Sequence, residues 1–432
     1  MRRRGHLQRA TITALGLQAV VFGGVFAVAF QRLWYGLWDI SDITIYFEYA
    51  QDILAKGMTP YKVLPLEYPP LALPFITLPW PGADFALYRT LFSLEMIAVT
   101  LVTAVVVVRA AAAIWPRPSR RPLLAGVGFA GFVAAMGSIV MNRFDIVIAL
   151  VVVATIWLIV RRQWEFAALV LGLGFAVKLT PAVLVPVLPI LLGRPLRRWL
   201  WPATLFVAAA TLPFVPWLIT APAGIWHVFT YHLDRPLQIE SVLGTPLFVA
   251  RGLGRLWIDV STEYGSQAIV ATGAGTMARL SGPLTAVALL TTYWFVARRR
   301  ALLRAAPRHL PLAVLAVILA FMAFGKVLSP QFFIWILPVA ALVILEDRLV
   351  GGLALATVLL TQIEFPALYW DLVYLKGAAW GIVVARNVLL LTTFGVALWR
   401  LWRLPAAPQT APSAETAATP ETRPTSGTAP SL

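Results

Sequence analysis

Long apolar stretches separated by short basic segments form the dominant pattern of this sequence. A helix crosses the hydrocarbon core of a bilayer, about 30 Å thick, with roughly 20 mostly apolar residues. The pattern therefore predicts an all-α fold, a polytopic transmembrane helical bundle of about 10–12 crossings. The stretches lie near 11–33, 86–113, 122–140, 144–160, 199–219, 283–297, 349–365 and 378–399.

Two further apolar stretches are interrupted at a lysine that is followed by a proline. Residues 166–192 are broken at Lys178-Leu-Thr-Pro181, and residues 310–345 are broken at Lys326-Val-Leu-Ser-Pro330. If either stretch crossed the membrane once, the arginine clusters on its two sides would face opposite compartments. We therefore predict that each stretch folds as a hairpin of two short helices.

Positive charge is distributed unevenly between the loops. Cytoplasmic loops of membrane proteins carry an excess of Lys and Arg, so the arginine clusters place one set of loops and both termini in the cytoplasm. All five lysines and most acidic residues then fall on the outer side. The arginine clusters lie at 2–9, 117–121, 161–162, 194–198, 298–308 and 400–403.

This topology divides the chain into three parts. Residues 1–10 form a cytoplasmic N-terminus, and residues 11–404 form the transmembrane domain, with long outer loops near 34–85 and 220–282. Residues 405–432 are almost entirely Ala, Pro, Thr, Ser and Glu, a composition that cannot bury apolar surface. That composition predicts a disordered cytoplasmic tail.

The first outer loop carries its own helical pattern. Apolar residues at helical spacing predict an interfacial helix from Ile43 to Leu54 that ends before Gly57. The proline-rich piece 71–80 is too short to span a bilayer, so we expect a re-entrant or surface-lying element there.

Composition excludes several classes of protein. With 60% hydrophobic and 12% charged residues and a mean hydropathy of +0.80, the chain needs lipid as its solvent. The net charge of +16 lies in short clusters between apolar runs, which argues against a nucleic-acid partner. The chain has no cysteine, and it has no compact Asp-x-Asp pair or nucleotide-binding glycine loop, so we assign no metal and no cofactor.

Charges inside or at the edge of a membrane are costly and so mark candidate functional residues. Lys178 and Lys326 stand at the two helix breaks, and Arg386 lies about two turns below the outer end of the last span. Each could reach towards the interface or form a structural ion pair. Alternatively, they could form a cationic binding site for a phosphate or diphosphate.

The sequence also offers candidate acids and bases. Asp39 and Asp42 follow the first span, and Asp42 could either cap the next helix or act as a general base. The simplest interpretation of residues 142–145, Asn-Arg-Phe-Asp, is a solvated outer turn. His232, beside Asp234 and Arg235, could contact a substrate or lie at the surface.

Several of these residues form motifs that resemble those of glycosyltransferase family 87, the polyprenyl-phosphate-mannose-dependent α-mannosyltransferases with the C-type membrane glycosyltransferase fold. The likeness extends from about residue 11 to 400, and it departs from the family at Met141-Asn142-Arg143, where many relatives have a Gly-Gln or similar pair before an Asn. The matching pieces are Ser41-Asp42 with Tyr46, Ala50, Gly57, Pro60-Tyr61 and Tyr68-Pro69-Pro70, then Gly172 with Lys178 and Pro181, then Arg235 with Glu240-Ser241, and Lys326-Val-Leu-Ser-Pro-Gln331.

The resemblance implies an inverting transfer of a hexose, expected to be mannose, from a polyprenyl-phosphate sugar donor to a lipid or glycan acceptor. Catalysis would take place at the extracytoplasmic face of the cell membrane, among membrane lipids, with Asp42 as the general base. The candidate substrate-binding residues are Asp39, Tyr61, Tyr68, Lys178, His232, Arg235, Glu240, Lys326, Gln331 and Arg386.

Two other functions are compatible with the pattern. A transporter or flippase also places rare charges within a helical bundle, although it typically shows matching interrupted helices in two related halves. A non-catalytic member that keeps the fold as an assembly partner is the third possibility.

Overall fold

The computed structural model describes residues 2–30, 41–117, 119–193 and 195–405. Asp39 and, apart from its first residue, the tail predicted at 405–432 lie outside these ranges. The helices, in chain order, are α1 (Arg2–Phe30), α2 (Ile43–Leu54), α3 (Leu73–Thr77), α4 (Phe85–Ile114), α5 (Arg121–Met136), α6 (Ile139–Asn142), α7 (Asp145–Val160), α8 (Trp164–Val177), α9 (Val187–Leu192), α10 (Arg197–Thr211), α11 (Val215–Thr220), α12 (Pro222–Asp234), α13 (Thr245–Gly252), α14 (Ala274–Ala305), α15 (Leu310–Phe324), α16 (Leu337–Val343), α17 (Arg348–Gln362), α18 (Tyr369–Val373) and α19 (Ala379–Arg403).

The helices confirm the polytopic membrane fold predicted from the apolar stretches. Among the described residues, six helical segments are long and apolar enough to cross a bilayer. Shorter apolar helices, including α5, α7, both arms of the first interrupted stretch and the second arm of the other, complete the bundle. The six segments are Phe85–Ile114, Arg197–Thr220, Ala274–Ala305, Pro307–Phe324, Arg348–Ala367 and Ala379–Arg403.

Both interrupted stretches fold as the predicted hairpins. Trp164, which begins α8, and Leu191, near the end of α9, line one small cavity together with Arg304. In the second hairpin, Arg308 precedes α15 and Glu346 follows α16, yet their side chains lie 4.0 Å apart. The two arms of each hairpin therefore meet at the same end of the bundle, and the lysine at each break lies at the other end.

The arginine clusters gather at the end where the hairpin arms meet, which we call the arginine end. Glu346 pairs with Arg121 as well as with Arg308, and Arg400 lies 2.7 Å from Asp347. Arg161 lines a larger cavity there beside the segment that follows α4. The opposite end carries Lys178 and Lys326, and we call it the lysine end.

The glycine before the first helix break allows two helices to approach closely. A Cβ on Gly172 of α8 would lie 2.5 Å from the Phe206 carbonyl oxygen and 2.8 Å from the Ala209 Cβ of α10. Small residues at such crossings let backbones touch in membranes. Gly172 therefore fixes the hairpin against α10, which positions the break at Lys178.

From residue 41 onwards, the segment predicted as the first outer loop contains the helix and the short element that the sequence indicated. Helix α2 buries Ile43, Tyr46 and Ala50 on one face, and Gly57 follows it with a φ of 67°, a left-handed conformation that glycine adopts without strain. The piece predicted to lie at the surface forms a 3₁₀ turn at Pro70–Ala72 and the short helix α3.

The second outer loop departs from the all-α prediction. It contains an antiparallel hairpin of β1 (Asp259–Glu263) and β2 (Ser266–Val270), joined by Tyr264 and Gly265, whose φ angles are 51° and 61°. Two successive positive φ angles give the turn that matches the twist of a two-residue hairpin. The loop is also shorter than predicted, because α14 begins at Ala274 and continues through Pro283, a residue that transmembrane helices tolerate.

Candidate active site

Asp42 occupies the N-cap position of α2 but does not cap the helix with its side chain. The hydroxyl oxygen of Ser41 accepts the Ile43 N–H instead, at 3.1 Å. The Asp42 Oδ2 lies 2.8 Å from the Nε of Arg143, and 25% of the Asp42 side chain remains exposed. Asp42 is therefore positioned by an ion pair and is still open to another molecule.

The segment 142–145 is buried, and its prediction as a solvated turn is wrong. Asn142, Arg143 and Asp145 are exposed by only 5%, 4% and 1%. They connect α6 to α7 inside the bundle, where an unpaired charge would be costly, and both charged residues have ionic partners. The only indication of this burial in the sequence was that a short segment with charges of both signs stands between two apolar runs.

Asp145 holds two residues of the helix breaks. Its Oδ1 accepts a hydrogen bond from the Lys178 Nζ and another from the Trp335 Nε1, both at 2.7 Å. The Lys178 ammonium also lies 5.5 Å from the ring centroids of Phe144, Phe332 and Trp335. Because Asp42 pairs with Arg143 two positions before Asp145, one buried turn brings Asp42 and Lys178 into the same site.

Tyrosines of the first loop form the wall beside Asp42. The Tyr68 ring makes edge contacts with Tyr46 and Phe144, at centroid distances of 5.9 and 5.2 Å. Glu67 accepts a hydrogen bond from the Tyr49 hydroxyl at 2.7 Å, and burial raises the pKa of the Glu67 carboxyl above its usual value. Tyr68 thus lies at the site, next to a carboxyl group whose pKa is raised by burial.

Tyr61 connects the first loop to α11 and α12. Its side chain is buried in a cluster with α11 and α12, and its hydroxyl donates to the Tyr68 carbonyl oxygen at 2.8 Å. A Cβ on Gly224 would lie 1.8 Å from the Tyr61 carbonyl oxygen, so α12 packs directly on this residue. Tyr61 therefore holds Tyr68 and α12 in place.

Lys326 joins the second helix break to the C-terminal end of α12. Its Nζ donates to the Leu233 carbonyl oxygen, and burial lowers the pKa of its ammonium group. The Gln238 side chain, which the sequence did not single out, fixes the same segment by accepting the Leu328 N–H at 2.8 Å and donating to the Ser329 Oγ at 3.1 Å. The next polar residue, Gln331, is half-buried.

His232 and Arg235 lie at the end of α12 and face the same region. His232 is exposed, yet the protein atoms around its ring lower its pKa to about 4, and the charges of Arg235, Lys178 and Lys326 add to this effect. His232 is therefore neutral at pH 7.

Tyr231 connects this helix electrostatically to the first loop. Burial and the charges of Glu67 and Asp42 raise its pKa to about 12, and Arg235 acts in the opposite direction. The Arg235 guanidinium lies 5.7 Å from the Tyr231 ring centroid. Arg235 and Asp42 are thus both within electrostatic range of one tyrosine.

Arg386 lies in a separate, fully buried network. Its Nη1 is 3.0 Å from the Glu364 Oε2, its Nη2 donates to the Glu240 carbonyl oxygen, and its Nε donates to the Asn387 Oδ1 at 3.1 Å. The Glu240 carboxylate accepts from the Gln238 Nε2 at 2.7 Å. This arrangement is the structural ion pair that the sequence left open for Arg386, and Glu240 links it to the segment that holds Lys326.

The described residues contain no group of three His, Asp or Glu side chains that could hold a metal ion. Their polar groups at the lysine end include the carboxyl groups of Asp42, Glu67 and Asp234, several cations and a neutral imidazole. That set suits a reaction in which a proton is removed on one side and an anion forms on the other.

Two comparisons with known proteins agree with this chemistry. The sequence profile of glycosyltransferase family 87 matches residues 66–330. The chain is also 31% identical over 300 residues to the polyprenol-phosphate-mannose-dependent alpha-(1-2)-phosphatidylinositol mannoside mannosyltransferase of Mycobacterium tuberculosis, an alignment that covers 65% of this chain and 62% of that protein. The profile includes Lys178, Lys326 and the buried turn but begins after Asp42. With well over half of its residues matched, the chain belongs to glycosyltransferase family 87.

Proposed function

We propose that this protein transfers a hexose, mannose by analogy with its mycobacterial relative, from a polyprenyl-phosphate sugar to a lipid or glycan acceptor. The observation that carries the proposal is the buried turn at the lysine end, which pairs Asp42 with Arg143 and Lys178 with Asp145. The charges of Lys178, Arg235 and Lys326 also act together on His232. A donor whose isoprenoid chain lies in the bilayer would present its phosphate at this depth.

Asp42 is the general base of the proposed reaction. As the acceptor oxygen attacks the anomeric carbon, its proton passes to the Asp42 carboxylate, the bond between the anomeric carbon and the phosphate oxygen breaks, and the polyprenyl phosphate leaves with the bonding electrons. Attack opposite the leaving group inverts the anomeric centre. The ion pair with Arg143 supports this role, because it orients the carboxylate without enclosing it.

The leaving phosphate gains charge as the bond breaks, so donors placed beforehand lower the barrier. Arg235 and Lys326 are the proposed main contacts. The Arg235 Nε is buried and has no hydrogen-bond partner within the described ranges, and the Lys326 Nζ donates to a carbonyl oxygen. Lys178 is paired with Asp145 and would contribute mainly by position.

The proposed site faces the extracytoplasmic side of the cell membrane, and both termini face the cytoplasm. Support comes from the separation of the arginine end, where Arg121, Arg308 and Arg400 lie, from the lysine end. Loops rich in arginine are retained in the cytoplasm.

The proposal is tested with purified protein, a synthetic polyprenyl-phosphate mannose and extracted lipid or glycan acceptors. We expect a mannosylated acceptor with inverted anomeric configuration and one polyprenyl phosphate released for each sugar transferred. With Asp42→Asn, both products should form at least about 100-fold more slowly. A flippase would instead move the intact donor across a proteoliposome membrane without releasing polyprenyl phosphate. Donor translocation without transfer would overturn the proposal.

A further inference from the structure

A cavity lined by basic residues lies at the arginine end, at the opposite end of the bundle from the candidate active site. Its volume is about 1010 Å³, and it is formed by α1, the end of α4, the segment after α4, the start of α5 and the end of α7. Five arginines and one histidine line it: Arg9, Arg109, Arg117, Arg120, Arg161 and His6. This set includes Arg109, which lies within α4 and outside the arginine clusters of the loops.

The charge of this cavity is not balanced by the protein. No Asp or Glu lines it among the described residues, and none of its five arginines has a carboxylate within ion-pair distance there. The neighbouring Arg121 differs, because it pairs with Glu346. All five arginines are exposed at the mouth of the cavity, where five like charges around one space favour the binding of an anion between them.

The cavity walls favour an anion that is attached to a lipid. Trp115 and Trp157 lie among the arginines, and Trp115 is fixed by a hydrogen bond from its Nε1 to the Glu346 Oε1 at 2.9 Å. Ala10, Ala113 and Leu123 give the inner part an apolar surface. Tryptophan rings at the ends of spanning helices lie at the level of lipid head groups, and arginine forks match the oxygens of a phosphate.

We propose that this cavity binds the phosphate head group of an anionic membrane lipid. The lipid phosphate lies among Arg9, Arg109, Arg120 and Arg161, and its acyl chains continue along the apolar faces of α1 and α4. Basic pockets between transmembrane helices on the cytoplasmic side bind anionic head groups in this manner. The bound lipid joins α1 to α4, α5 and α7 by neutralising their facing charges.

The test compares lipids by their effect on the purified full-length protein in detergent. We expect phosphatidylglycerol to raise the thermal unfolding midpoint and to remain bound in native mass spectrometry, and phosphatidylcholine to do neither. In the double variant Arg109→Gln/Arg161→Gln, about tenfold or more lipid should be needed for the same shift, since each hydrogen bond to a charged group contributes about that factor.

Arg300→Gln is the matched control, because Arg300 is exposed in the last part of α14 and does not line the cavity. The control should respond to phosphatidylglycerol like the unaltered protein. An equal lipid response in the double variant would overturn the site. A shift produced equally by inorganic phosphate or diphosphate would overturn the assignment to a lipid and indicate a soluble anion.

Discussion

The Nε of Arg143 lies 2.8 Å from the Oδ2 of Asp42, and Arg143 belongs to the same buried turn as Asp145, which holds Lys178 at 2.7 Å. The turn supplies the cation of one ion pair and the anion of the other, and so it fixes the position of the Asp42 carboxylate relative to the Lys178 ammonium group. Because the turn begins α7, the rigid bundle positions the first outer loop against the helix break. Preorganisation of this kind is what electrostatic catalysis requires.

Asp42→Asn should lower the transfer rate by roughly 100- to 10,000-fold and leave donor binding nearly unchanged, since a positioned base acts only as the acceptor is deprotonated. The measurement is turnover together with donor affinity for Asp42→Asn and Asp39→Asn. If Asp42 only capped α2, Asn would replace it with little loss. Near-normal turnover in Asp42→Asn, or a deeper loss in Asp39→Asn, would contradict the assignment.

Arg143→Gln should reduce turnover by roughly 10- to 100-fold, because it removes a charged hydrogen bond that orients Asp42. The coupling is measured by adding Arg143→Gln to Asp42→Asn, where we expect almost no further loss of rate. Arg143→Lys keeps the charge but loses the planar guanidinium and should be intermediate. Full additivity of the two substitutions would show that Arg143 acts on stability and not through Asp42.

Lys326→Met should weaken donor binding by about 1.5 to 3 kcal/mol, the usual range for hydrogen bonds to charged groups. Lys326 also holds the Leu233 carbonyl, so the unfolding midpoint must be measured beside the donor affinity. Lys62→Met removes an exposed lysine of the first outer loop and serves as the control. A fall in stability with unchanged donor affinity would assign Lys326 to helix docking alone.

Single cysteines can test the orientation, because the chain has none of its own. We expect an impermeant thiol reagent to label Lys62→Cys and Trp257→Cys in intact cells. The same reagent should label Gln163→Cys and Arg300→Cys only after the membrane is permeabilised. Trp257 is 85% exposed, so access is not limited by the fold. Labelling of the second pair in intact cells would reverse the topology.

His232 should make the protein less stable in acid. The pKa of its imidazole is about 4 in the folded state and 6.5 without perturbation. Between pH 6.5 and pH 4, the unfolded chain therefore binds a proton at His232 that the folded chain does not bind. The free energy of unfolding therefore decreases across this window. His232→Gln should show a smaller fall in unfolding midpoint, and His227→Gln on the same helix is the control. An equal fall in all three proteins would argue against a depressed pKa.

The membrane fold could be predicted because length, hydropathy and arginine placement are properties of the chain itself. The breaks at Lys178 and Lys326 were predictable for the same reason, since a proline inside an apolar run leaves few alternatives. The burial of Arg143 and Asp145 could not be predicted. Asp145 and Trp335 are separated by 190 residues, and no local pattern indicates that they meet.

Arg386 is another residue whose role could not be decided from the sequence. An arginine inside an apolar helix is equally compatible with a substrate contact and with a buried partner. The partner, Glu364, follows α17 and is 22 residues away, so only the packing of α17 against α19 decides between the two. The β-hairpin was missed because its two strands lie within a loop of mixed composition.

Helix α8 has 14 residues, and so it rises only about 21 Å from the arginine end. The hydrocarbon core is about 30 Å thick, so α8 is shorter than a complete crossing. On the proposed function, the break at Lys178 that ends α8 would lie within the depth of the bilayer, where the phosphate of a lipid-linked donor reaches it without leaving the membrane. The acceptor would approach the same break from the water, so the two substrates would enter by different routes.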